Sequence, residues 1–410
     1  MKHNYRISIP VVIALLISLT ACEEGKRYEI SSDDNTIPGK PIFVDSKPIN
    51  GGSRVYFLSP DDEDFLYVEA SWLNQEGETV SCIASYFSDS LDVLGFKDPG
   101  EHIIDMCSVD RAGNKSEKIQ VSVLAGESPI NRLARTVDVI PSFGSIMLSW
   151  KNPLLEPLYI YANIKYTLDG EEHDFTRVIS TSASDTRSID SLKLYKGEDL
   201  HLTVTVKDKY KNTAVPLRDT VLTLLVDEKI QKAGWKLLEP GTVMGGVTQS
   251  DGSYNKGHFD NIIDDITEAG GEINFYEAKP SSKGTFDIII DLGAEYELSR
   301  VVTHQRFSGA GYSGNASNIR GNYYGGKNVT AYRMYIWDES TSSWEYVSRH
   351  EIDTPVVKQQ EDYKILGDKG DMAYLYPERP GFSPKTRYFR YEALNGEYLS
   401  EITLYGKSTE

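Results

Sequence analysis

The stretch IDLGAEYELSRVV, Ile290–Val302, and its later companion TRYFRYEALNGEYLSEITLYG, Thr386–Gly406, decide how the C-terminal part of this chain folds. Both are rich in β-branched and aromatic residues and are bounded by Gly and Asn turn signals, so both read as strands. Between and before them lie more strand-like runs: TFDIIIDLG, LSRVVTHQRF, VTAYRMYIWD and WEYVSRHEI. A short amphipathic segment, HFDNIIDDITEAGG, precedes them all, and a one- or two-turn helix there would put Ile262, Ile263 and Ile266 on one side.

That order, a helix-like turn, an Ile-rich strand ending in DLG, a Trp337/Trp344 hairpin and two closing strands, resembles the discoidin (coagulation-factor type C) family. The resemblance implies a galactose-binding-like jelly roll over residues 231–410. Core packing is expected for both tryptophans, and MAYLYPERPGF, with Tyr374 and Tyr376, is a candidate cleft wall.

Upstream, residues 41–128 carry short alternating runs (RVYFL, FLYVEASW, TVSCIASY, HIIDMCSVD, KIQVSVL) separated by turn clusters such as SPDDED and DPGE, the pattern of a β-sandwich. Residues 129–230 repeat it, with Ile146, Leu148 and Trp150 on one face of SIMLSWKNP. SVDRAGNKS resembles the end of the sixth strand of fibronectin type III domains, and VKDKYKN falls at the matching place in the second unit. The expectation is therefore all-β: two tandem Ig/fibronectin III-like sandwiches followed by the jelly roll.

The first residues read as an export signal. Lys2, His3 and Arg6 precede VVIALLISL, an apolar run too short to span a bilayer comfortably. LTAC, Leu19–Cys22, resembles the lipobox of bacterial lipoproteins, which implies cleavage of residues 1–21 and acylation of Cys22. Glu23 and Glu24 resemble a surface-export signal, and residues 23–40 read as a polar tether. The expected location is the outer membrane, surface-exposed, with a lipid as anchor. Cys82 and Cys107 lie in the same sandwich, where an oxidising compartment permits a bond or leaves two buried thiols.

A net charge of −18 without a Lys/Arg cluster excludes nucleic acid as a natural partner. Enzymatic signatures are missing as well: the seven histidines form no His-Glu-x-x-His, there is no Gly-x-Ser-x-Gly, and no local pattern picks out a carboxylate pair.

Chemistry concentrates in VVTHQRFSGAGYSGNASNIRGNYYGGKNV, Val301–Val329. Strand alternation sends Val302 and His304 one way and Val301 and Thr303 the other, so a polar group leaves the strand at its exit. A loop rich in Gly, Asn and Tyr follows. Sugars need hydroxyl partners and an aromatic plane, and His304, Gln305, Arg306, Arg320, Tyr323 and Tyr324 supply those types. The other reading ties His304 and Arg306 to backbone carbonyls and packs the Tyr pair on the sandwich side. The family resemblance also implies a structural calcium held by Asp264, Asp265 and Glu401, although Ile266 stands near where the family often has a metal-binding polar residue. Binding itself requires no cofactor.

These readings converge on a cell-surface lipoprotein that binds glycan without cutting it. The whole chain resembles lipoproteins of glycan-uptake systems, which implies an outer-membrane transporter complex as a partner. A subunit docking onto that complex and an accessory glycoside hydrolase are the alternative readings.

Overall fold

The computed structural model describes residues 34–190, 192, 194, 197–215, 218–252, 259–267, 275–278, 284–306, 324 and 327–409. Cys22, Arg320 and Tyr323 lie outside them. Among the described residues no helix is long and apolar enough to cross a membrane. The architecture is all-β, with antiparallel sheets arranged around three hydrophobic cores.

The first sandwich contains β1 (Ile42–Ile49), β2 (Gly52–Leu58), β3 (Phe65–Leu73), β4 (Thr79–Ser85), β5 (Ser90–Leu94), β6 (Gly100–Asp110) and β7 (Ile119–Ala125). Its sheets run β1-β2-β5 and β4-β3-β6-β7. Alternate residues such as Val55, Phe57, Val68, Ala70 and Met106 meet between them. Cys82 and Cys107 are both free. Cys82 pairs with Ala70 across one edge of β3 and Cys107 with Glu69 across the other. Two strand spacings, about 10 Å, and opposite faces keep the sulfurs apart.

A short helix the sequence did not announce, α1 (Pro129–Thr136), leads into the second sandwich and buries Ile130 and Leu133. Pro129 at its first turn is suited to that place. Then come β8 (Asp138–Pro141), β9 (Ile146–Trp150), β10 (Leu158–Leu168), β11 (Glu171–Thr181), β12 (Asp185–Ile189), β13 (Asp199–Lys207) and β14 (Arg218–Thr223), in sheets β12-β9-β8 and β11-β10-β13-β14. Trp150 is buried in the core, and its indole N–H donates to the Ala183 carbonyl at 2.8 Å.

The two related turns close alike. Asp110 accepts from the Asn114 backbone and side-chain amides, and Asp208 does the same with Asn212. In the second sandwich that turn also forms the joint with the first. The Tyr210 ring lies against Gly95, where a Cβ would come within 2.5 Å of it, and Asn212 donates to the Gly95 carbonyl at 2.7 Å.

The third core begins before residue 231. β15 (Glu228–Lys229) already pairs with the last strand of the chain. The remaining strands are β16 (Lys236–Leu237), β17 (Val243–Met244), β18 (Val247–Thr248), β19 (Tyr276–Glu277), β20 (Phe286–His304), β21 (Ala331–Asp338), β22 (Ser343–Glu351), β23 (Asp371–Tyr374), β24 (Lys385–Ala393), β25 (Tyr398–Leu399) and β26 (Glu401–Ser408). The main sheet path is β15-β26-β20-β24-β21-β22.

The long β20 turns a corner of the roll. Its first half pairs with β24 and its second half with β26 and β23. Gly293, φ 78°, sits at the corner, where a Cβ would come within 2.6 Å of the Gly234 carbonyl. Trp337 is buried and meets the half-buried Trp344 edge-on at 5.1 Å.

Two local expectations change. Asp264 accepts from the Ile266 amide at 2.9 Å, Asp265 takes φ 65°, and Ile266 is thrown outward to 50% exposure while Ile262 stays in the core. The ordered segment there is a single 3-10 turn, Phe259–Ile262. A second unannounced helix, α2 (Gln360–Lys369), carries a capping box between Gln359 and Asp362 and stops at Gly370, φ 77°.

The second sandwich and the jelly roll are joined by Asp227. Its carboxylate takes Arg300 Nε at 2.8 Å, Arg300 Nη2 at 2.9 Å and the Ser299 hydroxyl at 2.6 Å. Phe143 packs edge-on against Phe382 beside this pair.

Candidate functional site

The exit of β20 separates the expected site residues by face. Val301 and Thr303 point to the core side, while Arg300, Val302 and His304 look outward, toward the second sandwich. On the core side a cleft of about 200 Å³ opens at the strand end, lined by Thr303, Gln305, Tyr324, Asp371, Gly367 and Asp353 among others. Helix α2 and the start of β23 form its far wall.

Each wall has a structural reason. Gln305 is buried because its amide donates to the Val329 carbonyl at 2.7 Å, which leaves its carbonyl oxygen as the acceptor end. Tyr324 leans on Tyr363 of α2 with ring centroids 5.9 Å apart. Its burial, with Asp371 nearby, pushes the phenol up to about 12, so it stays a neutral donor and acceptor. Below, Tyr332 and Tyr391 stack at 4.3 Å and direct their hydroxyls toward Thr303. Asp371 is held by His350 at 2.5 Å.

His304 lies on the other face. It is 5% exposed, its ring is close against Gly370, and the carbonyls of Asp368 and Lys369 face it. Burial, and then the Lys232 charge, hold its imidazole down at about 4. It is therefore neutral at pH 7 and does not line the loop-end cleft. Arg306 is drawn into packing. Its guanidinium carbon lies 3.7 Å from the Phe275 ring centroid and 4.7 Å from that of Tyr398, and its backbone is clamped by Asn328. Gln305 and Tyr324 thus share a cleft, while His304 and Arg306 have other surroundings. Sequence reasoning missed Thr303, Asp371 and the α2 wall; the capping box around Gln359 was the available signal.

The expected calcium ligands meet a cation that belongs to the chain itself. The buried Lys232 ammonium is bonded to Glu401 Oε1, lies 2.8 Å from Asp265 Oδ1, and donates to Thr403 at 3.1 Å. Lys229 adds a second ammonium 2.9 Å from the same Asp265 oxygen. Two of the three carboxylates are already neutralised, and a divalent ion would face like charge, so this donor set does not fit calcium. Burial pushes the Glu401 carboxyl up to about 8 against the opposing pull of Lys232.

Residues 38–125 match a family described as a domain of unknown function, DUF4959. Among curated proteins none matches the chain. Solved structures with low identity include a SusE-like protein (18% identical, 68% of this chain and 99% of that one, TM-score 0.37). A second is the CBM32-3 module of a family 31 glycoside hydrolase from Clostridium perfringens (17%, 44% and 95%, TM-score 0.28). A third is the C-terminal domain of a chitobiase from Bacteroides fragilis (14%, 45% and 100%, TM-score 0.27).

Proposed function

We propose that this protein is a non-catalytic carbohydrate-binding protein of the cell envelope, taking one sugar unit of a glycan into the cleft at the end of β20. The observation that carries the reading is the cleft's lining. An aromatic ring, Tyr324, stands beside the Gln305 and Thr303 side chains and the polar backbone around Gly367 and Gly370. A ring to stack on and fixed hydrogen-bonding groups are what a pyranose needs. The volume, about 200 Å³, lies below the roughly 300–1,000 Å³ of drug-sized sites and suits a small ligand.

The same lining argues against hydrolysis. A glycosidase sets two carboxylates across one bond, and here Asp371 is engaged by His350, leaving Asp353 as the other carboxylate of the cleft. A lipid on Cys22 would hold the protein at the outer membrane, where captured glycan could be handed to a transporter complex.

A glycan array probed with the protein, followed by titration of the best ligand, tests this. Tyr324→Ala should weaken binding about tenfold, the loss of roughly 1–2 kcal/mol of stacking and burial. Unchanged affinity in that variant removes the cleft from consideration, and release of reducing ends would make the protein an enzyme. Cys22→Ala should move the protein from the membrane to the soluble fraction, because acyl chains contribute about 0.8 kcal/mol per buried methylene.

A further inference from the structure

The outward face of β20 borders a larger space. Between the second sandwich and the jelly roll lies a cleft of about 650 Å³, with Phe143 and Asp190 contributed by the sandwich and Arg300, His304, Lys369 and Tyr374 by the roll. Its walls are held in place by the Asp227–Arg300 pair and by the Phe143–Phe382 contact.

Two features of this cleft lack an explanation within the fold, and a third residue supplies an aromatic wall. His304 is 95% buried, and its Nδ1 has no hydrogen-bond partner among the described residues although the ring lines the cleft. With the other side of the ring facing the α2 carbonyls, which require an N–H, the bare Nδ1 is an acceptor in search of a hydroxyl. Lys369 is exposed at the rim, and its ammonium has no carboxylate partner among the described residues, whereas Lys229 and Arg300 are paired to Asp265 and Asp227. Tyr374 presents a half-buried ring at the same rim, its hydroxyl 3.4 Å from Ser145 Oγ. With Lys229 and Arg300 matched by Asp265 and Asp227, Lys369 is the cation of this lining left without a carboxylate among the described residues.

We propose that this interdomain cleft is a second saccharide site, selective for a carboxylate-bearing sugar of the uronate class. The carboxylate meets Lys369, a ring hydroxyl donates to His304 Nδ1, and the sugar face rests on Tyr374. Carboxylate and ammonium attract over a short range, an aromatic ring covers the C–H face, and a hydroxyl satisfies the orphaned nitrogen. The site adjoins the loop-end cleft, since Lys369, Gly370 and Met372 line both, and is distinguished from it by His304 and Tyr374 on one side and Gln305 and Tyr324 on the other.

The test titrates the full chain with D-glucuronate and D-galacturonate, with glucose and galactose as neutral twins and acetate as the bare anion, using ligand-observed NMR. One or both uronates should saturate more tightly than their twins and than acetate. Lys369→Met should weaken the uronate about fivefold and leave the neutral sugars unchanged; Lys364→Met, on the same helix but paired to Asp368, should change neither. Tyr324→Ala should leave uronate binding intact, so failure of the loop-end site is seen separately. The proposal is overturned if neither uronate saturates at tens of millimolar, if uronate and neutral twin bind alike, if acetate binds as tightly as the uronates, or if Lys369→Met has no effect. Uronate binding that disappears with Tyr324→Ala would assign the ligand to the other cleft.

Discussion

Two faces of one strand meet two different solvents. Along the end of β20 the core-side residues Val301 and Thr303 lead to Gln305 and a small cleft roofed by α2; the outward residues Arg300, Val302 and His304 lead to a cleft about three times larger. The strand supplies both by alternation alone. What separates them is what packs above each face. One face is covered by the roll's own sheet and helix; the other shares the Lys369–Gly370 end of that helix and is closed by a different domain locked on through Asp227. Chemical character here comes from the cover as much as from the strand.

The sharpest way to break that difference is to release the cover. Asp227→Ala leaves the Arg300 guanidinium without its partner, and removal of one member of such a pair costs about 3–5 kcal/mol. A fall in the thermal midpoint of the full chain checks this; a midpoint unmoved by the substitution would show that the joint is not held there. By the same reasoning, a chain beginning at Asp227 should outlast one beginning at Lys232, which loses the Arg300 partner, the β15 pairing and the buried Ile230.

A smaller effect concerns His304. Its folded value of about 4 lies below the ordinary 6.5. Between those values the unfolded chain binds a proton that the folded chain refuses. Its contribution is therefore full above about pH 6.5 and is lost as pH falls toward 4, with a slope approaching about 1.4 kcal/mol per pH unit. Glu401 acts the other way: raised to about 8, it contributes most below 4.5 and less as pH rises to 8. Comparing wild type with His304→Gln by urea unfolding across this range isolates the histidine. The stability difference between the two should change between pH 6.5 and 4 and be flat above; a parallel pair of curves counts against the buried neutral ring.

Arg306→Ala tests whether this residue serves packing or ligand. Its place over Phe275 and Tyr398 predicts a loss of about 1–2 kcal/mol in stability with glycan affinity kept. Lost affinity at unchanged stability would return it to the ligand set. The smallest expected effect is none at all. Chelation with EDTA should leave the melting curve in place, because Lys232 already occupies the point where Glu401 and Asp265 converge; a midpoint lowered by EDTA and restored by calcium would contradict that.

How much was legible follows from the range over which each force acts. Strand-forming runs and turn residues are local, so the β character of FLYVEASW, SIMLSWKNP and TRYFRYEAL, the burial of Trp150, the matching Asp–Asn turns and the polar exit of β20 could all be read from neighbouring residues. Helix α2 was equally local and was missed, because its mixed polar sequence lacks a clear apolar stripe and its capping box starts from Gln359 rather than from Ser or Thr. The partners of His304, Arg306 and Glu401 were not local. Lys232 stands 169 residues from Glu401, and the Asp227 carboxylate stands 73 residues from Arg300. Sequence shows that a charged residue must find a counterpart when buried; only the folded chain decides which one arrives first. Here a lysine reached the carboxylates that the family resemblance assigned to calcium, and aromatic rings reached the arginine that had been assigned to sugar.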